Sequence, residues 1–238
     1  MKILCVIPVF NEYHKLFYLI DQLKENQYKN YNLKYLFINN GSTDNSLSLI
    51  NKNNFNCLNL KKNKGVGYAL MLGYLYAKKY KYNFIIHLAG NGKMKPSEIK
   101  FFIDKSKKYD FISGSRFLDG SSRKNNPKYR IILIKIFSFL INFFFKINIT
   151  DSTCGFRMYR TQIFKNFEKN FFKKELFTYG YEYFSYGKII KSKKIKFIEI
   201  PVSMDYPSKE NYTKIRPIID WYIMAKYWIK GLLDEKEI

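Results

Sequence analysis

The residues best suited to chemistry are bases and amides, set in a stretch of chain without acids. Between Asp44 and Glu98 there is no carboxylate, and inside that gap the apolar run Phe84, Ile85, Ile86 opens into His87, Leu88, Ala89, Gly90, Asn91, Gly92 and Lys93. A buried strand ending in a glycine-rich turn is where open α/β sheets bind ligands. A turn that offers backbone amides and a lysine selects an anion and does not call for a divalent cation. Further cations stand at Arg116 (after Gly114 and Ser115), at Arg130, and at Lys214 and Arg216. Such groups would offset the charge that builds on a departing phosphate or diphosphate. Two acids are candidate proton acceptors. Asp151 opens the run Asp, Ser, Thr, Cys, Gly, Phe, Arg, and Glu182 lies within Tyr179, Gly180, Tyr181, Glu182, Tyr183. A hydroxyl acceptor needs such a base, whereas a phosphate acceptor is already a nucleophile at neutral pH. Glu182 is the preferred base, and Asp151 is either a second one or a structural acid orienting its segment through backbone amides. His14 and His87 read as packed side chains, the latter near a sheet edge.

The elements that must hold these groups alternate in the first half of the chain. Strands are predicted at residues 3–8, 35–38, 57–60, 84–88 and 111–113, separated by helical patterns through Leu16, Leu19 and Leu23, through Leu47 and Ile50, and through Leu70 and Leu75. Asn11 is positioned to cap the first helix and Pro96 to begin the fourth. Strands spaced by helices of this length imply right-handed crossovers, hence an α/β fold with a mostly parallel sheet and helices on both faces. Residues 118–128, rich in Asn, Ser, Gly and Pro, read as the loosest segment. From Ile131 to Ile147 the polar residues Lys135, Ser138, Asn142 and Lys146 share one helical stripe, which reads as an interfacial or deeply packed amphipathic helix. Trp221, Met224 and Trp228 share a face of a C-terminal amphipathic helix that suits either a membrane surface or closure over the core.

With 238 residues, a single well-buried domain is the default. Lys and Arg outnumber Asp and Glu by 42 to 19, a formal charge of +23 that attracts phosphates, nucleic acid or an anionic membrane face. An aromatic content of 19% excludes a disordered basic tail. The charge is dispersed and no nucleic-acid module appears, which disfavours a nucleic-acid partner. Cys5, Cys57 and Cys154 lack CxxC spacing and read as core thiols in a reducing compartment. Met1 and one lysine lead straight into the first strand, so no secretory leader is expected.

The motifs together carry a resemblance. Pro8, Val9, Phe10, Asn11, Glu12, then Asn40, Gly41, Ser42, Thr43, Asp44, then Gly114, Ser115, Arg116, and finally the run from Asp151 to Arg157 resemble the family 2 glycosyltransferases of GT-A fold, and within them the dolichyl or polyprenyl phosphate sugar synthases. The likeness covers about residues 1–205, leaving 206–238 as a helical, membrane-associating tail. It implies an inverting transfer of a sugar from a nucleotide-sugar donor to a lipid-linked (polyprenyl-phosphate-type) or surface-glycan acceptor, on the inner, cytoplasmic face of the membrane. It further implies that Pro8, Phe10, Glu12, Asn40, Ser42, Lys64, Ala89, Gly90, Asn91 and Lys93 face the donor, and that Arg116, Arg130, Lys214 and Arg216 face its diphosphate. A nucleotidyltransferase and a catalytically inactive nucleotide-binding homologue are the alternatives.

Two departures from the family pattern shape the expectation. Where relatives carry paired aspartates, the second of them meeting the base, this chain has Asn39 and Asn40. An amide both donates and accepts, so Asn40 suits cytosine, uracil through its carbonyl, or a simple helix cap. Where relatives carry the acid-x-acid metal motif, this chain has Ala89 and Asn91, with Lys93 at a nearby ligand position. Lys93 and the amides of residues 90–93 would then supply the charge that Mg²⁺ or Mn²⁺ supplies elsewhere, and no metal ligand is expected.

Overall fold

The run Lys-Ile-Leu-Cys-Val-Ile-Pro-Val is apolar along nearly its whole length, as a strand covered on both faces must be. In a computed structural model, which describes residues 1–26, 28, 31–166, 173–206, 214–216 and 218–234, it forms β1 (Lys2–Val9). There follow α1 (Tyr13–Glu25), β2 (Asn32–Asn39), α2 (Ser46–Lys52), β3 (Asn56–Asn59), α3 (Val66–Lys79) and β4 (Phe84–His87). A 3₁₀ turn at Pro96–Glu98 leads into α4 (Ile99–Lys105), then β5 (Phe111–Ser115), α5 (Lys128–Phe145), β6 (Arg157–Arg160), α6 (Gly180–Lys191), β7 (Phe197–Pro201) and α7 (Ile219–Leu233). These strands make one seven-stranded sheet in the order β3-β2-β1-β4-β6-β5-β7. All neighbours run parallel except β6, which is antiparallel to both β4 and β5.

Two apolar layers cover the sheet. On one face Leu16, Leu19 and Leu23 of α1, Ile50 of α2 and Phe102 of α4 bury against β1, β4 and β5. On the other, Met71 and Tyr74 of α3, Tyr181 and Tyr186 of α6, and Trp228 of α7 close over Val6, Ile85, Phe111 and Tyr159. At the α6–α7 crossing, a Cβ on Gly231 would lie 2.3 Å from the carbonyl oxygen of Phe184, so only glycine lets the helices approach this closely.

The expected α/β architecture is present, with several local corrections. Asn11 does not cap α1; it sits at a left-handed φ of 50° and its side-chain oxygen accepts from Thr43 N at 2.8 Å. The α1 start is instead tied down by Asp44, whose carboxylate accepts from Tyr13 N at 3.0 Å. His87 stands at the centre of the sheet, since β4 has three strands on either side of it. Residues 118–128 do form a connection, but a tethered one. Asp205 accepts from Ser122 Oγ at 2.7 Å and from Lys124 N at 2.9 Å, while Asn126 donates to Met204 O at 2.8 Å.

The polar stripe of α5 divides: Ser138 and Asn142 turn inward, opposite to the polar face of a surface helix, while Lys135 and Lys146 stay exposed. Ser138 Oγ pairs with Ser152 Oγ at 2.9 Å and Asn142 both donates to and accepts from Ile149, whereas Phe139, Phe143 and Phe144 are about two-thirds exposed. The tryptophan face of α7 also packs inward, with Trp228 fully buried and its indole N–H donating to Ser152 O at 2.9 Å. In the expected tail, residues 207–213, 217 and 235–238 lie outside the described residues.

Candidate functional site

Parallel strands end together, so the loops after β1, β2 and β4 converge at one edge, and β5 and α6 close the far side. They enclose a cavity of about 490 Å³. Its walls include Pro8, Phe10 and Glu12 from the β1 loop, Asn40 and Asn63, Ala89 to Asn91 and Lys93 after β4, Arg116 and Arg130, and Glu182 on α6. Lys214, Arg216, Asp220 and Trp221 close it from the C-terminal segment. Among the described residues the charged groups on the walls are six cations (Lys15, Lys93, Arg116, Arg130, Lys214, Arg216) against three acids (Glu12, Glu182, Asp220). The excess is positive, and the field inside favours an anion.

Most of the residues expected from sequence meet here, and three do not line the cavity: Ser42, Lys64 and Asp151. Ser42 accepts from Asn11 N at 3.0 Å and so joins the β1 and β2 loops. Lys64 offers its backbone N–H to Asn40 Oδ1 at 3.0 Å, while its ammonium lies 4.6 Å from the Tyr68 ring. Asn40 is buried, and its amide also donates to Asn63 Oδ1 at 3.0 Å. It therefore orders residues 63–64 against the β2 loop and caps no helix. One amide hydrogen and one carbonyl lone pair of Asn40 are not accounted for by these bonds.

Asp151 has the geometry of an orienting acid. Fully buried, it accepts from Arg116 Nε at 2.6 Å, Arg116 Nη2 at 2.7 Å, Arg116 N at 3.1 Å and Thr153 N at 3.1 Å. Burial pushes its pKa up, but the Arg116 charge and these bonds more than offset that and hold the carboxyl below the usual range. Every accepting direction of Asp151 is committed, so it has none left for a substrate proton.

The four cations expected to face a diphosphate differ in how their charge is matched. Arg116 is balanced by Asp151. Lys214 bonds the carbonyls of Phe10 and Asn11 and pairs with Glu12 at 3.0 Å, strapping the C-terminal segment across the β1 loop. Arg216 pairs with Asp220 at 2.8 Å. Arg130 is 92% buried, makes no ion pair with a described residue, and lies over the Trp221 ring at 5.9 Å.

Lys93 is buried beside these groups, its ammonium 4.2 Å from the centroid of the Tyr206 ring. Burial, then the charges of Arg130 and Lys15, bring its pKa down to about 7. At neutral pH the chain thus holds Lys93 near the midpoint of its titration, and an arriving anion would restore its charge.

The acid-x-acid motif of the fold family implies a divalent cation after β4. The donor set there does not fit one. Ala89 offers no side-chain ligand, the carbonyl of Asn91 accepts from Lys93 N at 3.2 Å, and Lys93 adds a positive charge. Among the described residues no three His, Cys, Asp or Glu side chains come together as a metal site. Glu12 is paired with Lys15 and Lys214, and Asp220 with Arg216.

Glu182 is partly buried on the cavity floor. Burial raises its pKa and Arg157 opposes the rise, leaving it above the ordinary glutamate value. Beneath it lie Tyr183, Arg157 and His87, the last neutral because burial, with Arg157 adding to it, brings its pKa down to about 3. Thr153, Tyr179, Tyr183, Tyr206 and Trp221 also line the cavity; the sequence reading gave none of them a binding role, because aromatic and hydroxyl side chains are ordinary core constituents.

Comparison with known proteins adds a family context. The family model described as "Glycosyl transferase family 2" matches residues 4–167. The chain is 22% identical over 174 residues to a polyprenol monophosphomannose synthase of Mycolicibacterium smegmatis, covering 70% of this chain and 64% of that one. It is 27% identical over 212 residues to an uncharacterized protein of Methanocaldococcus jannaschii, covering 86% and 82%. An undecaprenyl-phosphate mannosyltransferase of Micrococcus luteus is 22% identical over 165 residues, 67% of each chain. Among solved structures, glucosyl-3-phosphoglycerate synthase of Mycobacterium tuberculosis, in complex with Mn²⁺, uridine diphosphate and glucosyl-3-phosphoglycerate, superposes with a TM-score of 0.69 at 12% identity, covering 98% of this chain and 78% of its own. Mannosyl-3-phosphoglycerate synthase from Rubrobacter xylanophilus gives 0.69 at 10% identity, covering 98% and 72%.

Proposed function

Because this chain belongs to glycosyl transferase family 2, we propose that it moves a sugar from a nucleoside-diphosphate sugar to a lipid-linked acceptor, with inversion and without a divalent cation. The observation that carries the reading is the cation-rich cavity at the carboxyl ends of β1, β2 and β4, in which Lys93 stands where the family's metal motif would place a ligand. The nucleotide lies over Pro8, Phe10 and Asn40, and the diphosphate reaches Lys93, Arg130 and the amides of residues 90–93. These donors are fixed before the reaction, so they stabilise the leaving diphosphate without reorganising as charge develops. Glu182 takes the proton of a hydroxyl acceptor; a phosphate acceptor attacks without its help.

The lipid-linked acceptor is supported by α5. Arg130 reaches the cavity from the first turn of this helix, and Ile132, Ile136, Phe139, Phe143 and Phe144 continue outward as an exposed apolar face. Arg130 is on the buried side of the helix with Ile134, Ser138 and Ile141, so an acceptor phosphate entering the cavity beside α5 would carry its hydrocarbon tail around to that exposed face. No helix among the described residues is long and apolar enough to cross a membrane, so we assign α5 a peripheral role on the anionic cytoplasmic leaflet. Two of the three relatives above are named for polyprenol and undecaprenyl phosphate, which agrees with this acceptor class.

The test is transfer by the purified full chain from UDP-, GDP- and CDP-linked sugars to a polyprenyl phosphate. We expect release of nucleoside diphosphate, undiminished by EDTA, and a loss of about 10²-fold in kcat for Lys93→Ala. Strict dependence on Mn²⁺ or Mg²⁺ would overturn the metal-free reading, and release of pyrophosphate would overturn the transferase.

A further inference from the structure

Arg157 is fully buried and opens β6, in register with His87 on β4 and Ser113 on β5. Its Nη1 donates to the backbone carbonyl of Glu182 at 3.2 Å, while its Nε and Nη2 have no hydrogen-bond partner among the described residues. The guanidinium lies 4.2 Å from the Tyr186 ring centroid and 5.6 Å from that of Tyr183. Ring faces attract a cation but carry no countercharge. A buried guanidinium without an anion is costly, and Arg157 makes no ion pair with a described residue. The carboxylate that acts on it is Glu182.

Gly155 lets the Glu182 carboxyl close on the segment that carries Arg157. A Cβ at Gly155 would lie 3.3 Å from Glu182 Oε1, closer than most side chains tolerate, so the bare backbone lets the Glu182 carboxyl lie against the segment that delivers Arg157 two residues later. The titratable groups facing Glu182 are Arg157 and Tyr159 from β6, His87 from β4 (neutral through burial), Tyr179 just before α6 and Tyr181 and Tyr183 on it, with Arg116 and Arg130 across the cavity. The tyrosines are neutral at physiological pH. Arg157 is thus the buried charge that opposes protonation of Glu182.

We propose that Arg157 is a positioning residue that keeps Glu182 a carboxylate on the cavity floor, poised to accept the proton of a hydroxyl acceptor. The proposal rests on the reading of Glu182 as base. Arg157 holds the first turn of α6 through its bond to Glu182 O, and it holds the charge of the side chain through the field of the guanidinium.

The test titrates the full chain, labelled with carbon-13 at the glutamate carboxyls, with Glu182 assigned from its absence in E182Q. In R157Q we expect the Glu182 midpoint to rise by about one pH unit or more, a tenfold change in its protonation constant. R157K, which keeps the cation, should recover most of the shift. With a hydroxyl acceptor, the acid limb of the transfer rate should move by the same amount in R157Q. A midpoint unchanged in folded R157Q overturns the proposal. Should R157Q be too unstable to titrate, R157Q/E182Q decides instead. It should melt several degrees above R157Q at pH 8, because the uncompensated carboxylate is gone, and equal melting temperatures overturn the proposal. If the wild-type chain transfers no sugar, the functional reading fails, while the carbon-13 midpoint still tests Arg157.

Discussion

If the proposed diphosphate site holds, Lys93 couples ligand binding to pH. With its pKa brought to about 7 by burial and by neighbouring cations, the free chain loses this charge over the range in which most enzymes work. A bound diphosphate stabilises the ammonium and raises that pKa. Below pH 7 the lysine is charged in both states, and binding takes up no proton. Above it the free lysine is neutral, so binding takes up as much as one proton and affinity falls with rising pH, by at most tenfold per unit. Calorimetry of nucleoside diphosphate binding in buffers of different ionisation enthalpy measures the uptake; we expect it at pH 8 in wild type and not in Lys93→Met. Equal uptake in both would place the titrating group elsewhere. The presence of this lysine was legible in the sequence, since Ala89, Asn91 and Lys93 stand out against an acid motif. The pairing of Arg116 with Asp151 was not, because the two are 35 residues apart and each resembles a site residue when read alone.

Helix α5 shows where a periodic pattern is read correctly and its direction is not. The stripe of Ser138, Asn142 and their neighbours was plain from spacing, but which face meets the protein depends on partners outside the helix. Ser152 and Ile149 take the polar side, and the phenylalanines turn outward. Replacing exposed apolar groups by serine removes little from the core, so Phe139→Ser/Phe143→Ser/Phe144→Ser should leave the melting temperature within a few degrees of wild type. Binding to vesicles containing anionic lipid should drop at least tenfold by co-sedimentation, and undiminished binding would remove α5 from the membrane contact. β1, β2, β4 and β5 were legible because each carries a run of Ile, Leu, Val or Phe, whereas β7, parallel to β5, has Glu199 within Phe-Ile-Glu-Ile-Pro and was not read as a strand. β6, with the sequence Arg-Met-Tyr-Arg, shows no such run, and it is a strand because β4 and β5 flank it.

Over the whole molecule a charge of +23 sets up a long-range field that draws anions toward the cavity and toward acidic lipid. Salt screens the exposed lysines, whereas Lys93 and Arg130 sit inside the protein and are screened less. The association rate of a fluorescent nucleoside diphosphate, followed by stopped flow, should therefore fall about tenfold as salt rises from low to molar concentration, with a smaller change in the dissociation rate. A salt-independent association rate would mean that the net charge does not steer binding. The order of the strands bears on how the chain reaches this state. β1 to β4 pair among themselves within residues 2–87, but β5 has no partner among those strands and joins them only through β6. Until Arg157–Arg160 is inserted, the inner edge of β4 presents unpaired backbone groups, an invitation to pair with another chain. Long-range pairing of this kind is slow. During synthesis the nascent N-terminal half is thus the aggregation-prone species, and the strand that ends its exposure also delivers Arg157 beneath the cavity, so an open sheet with a finished floor is not a state this chain can occupy.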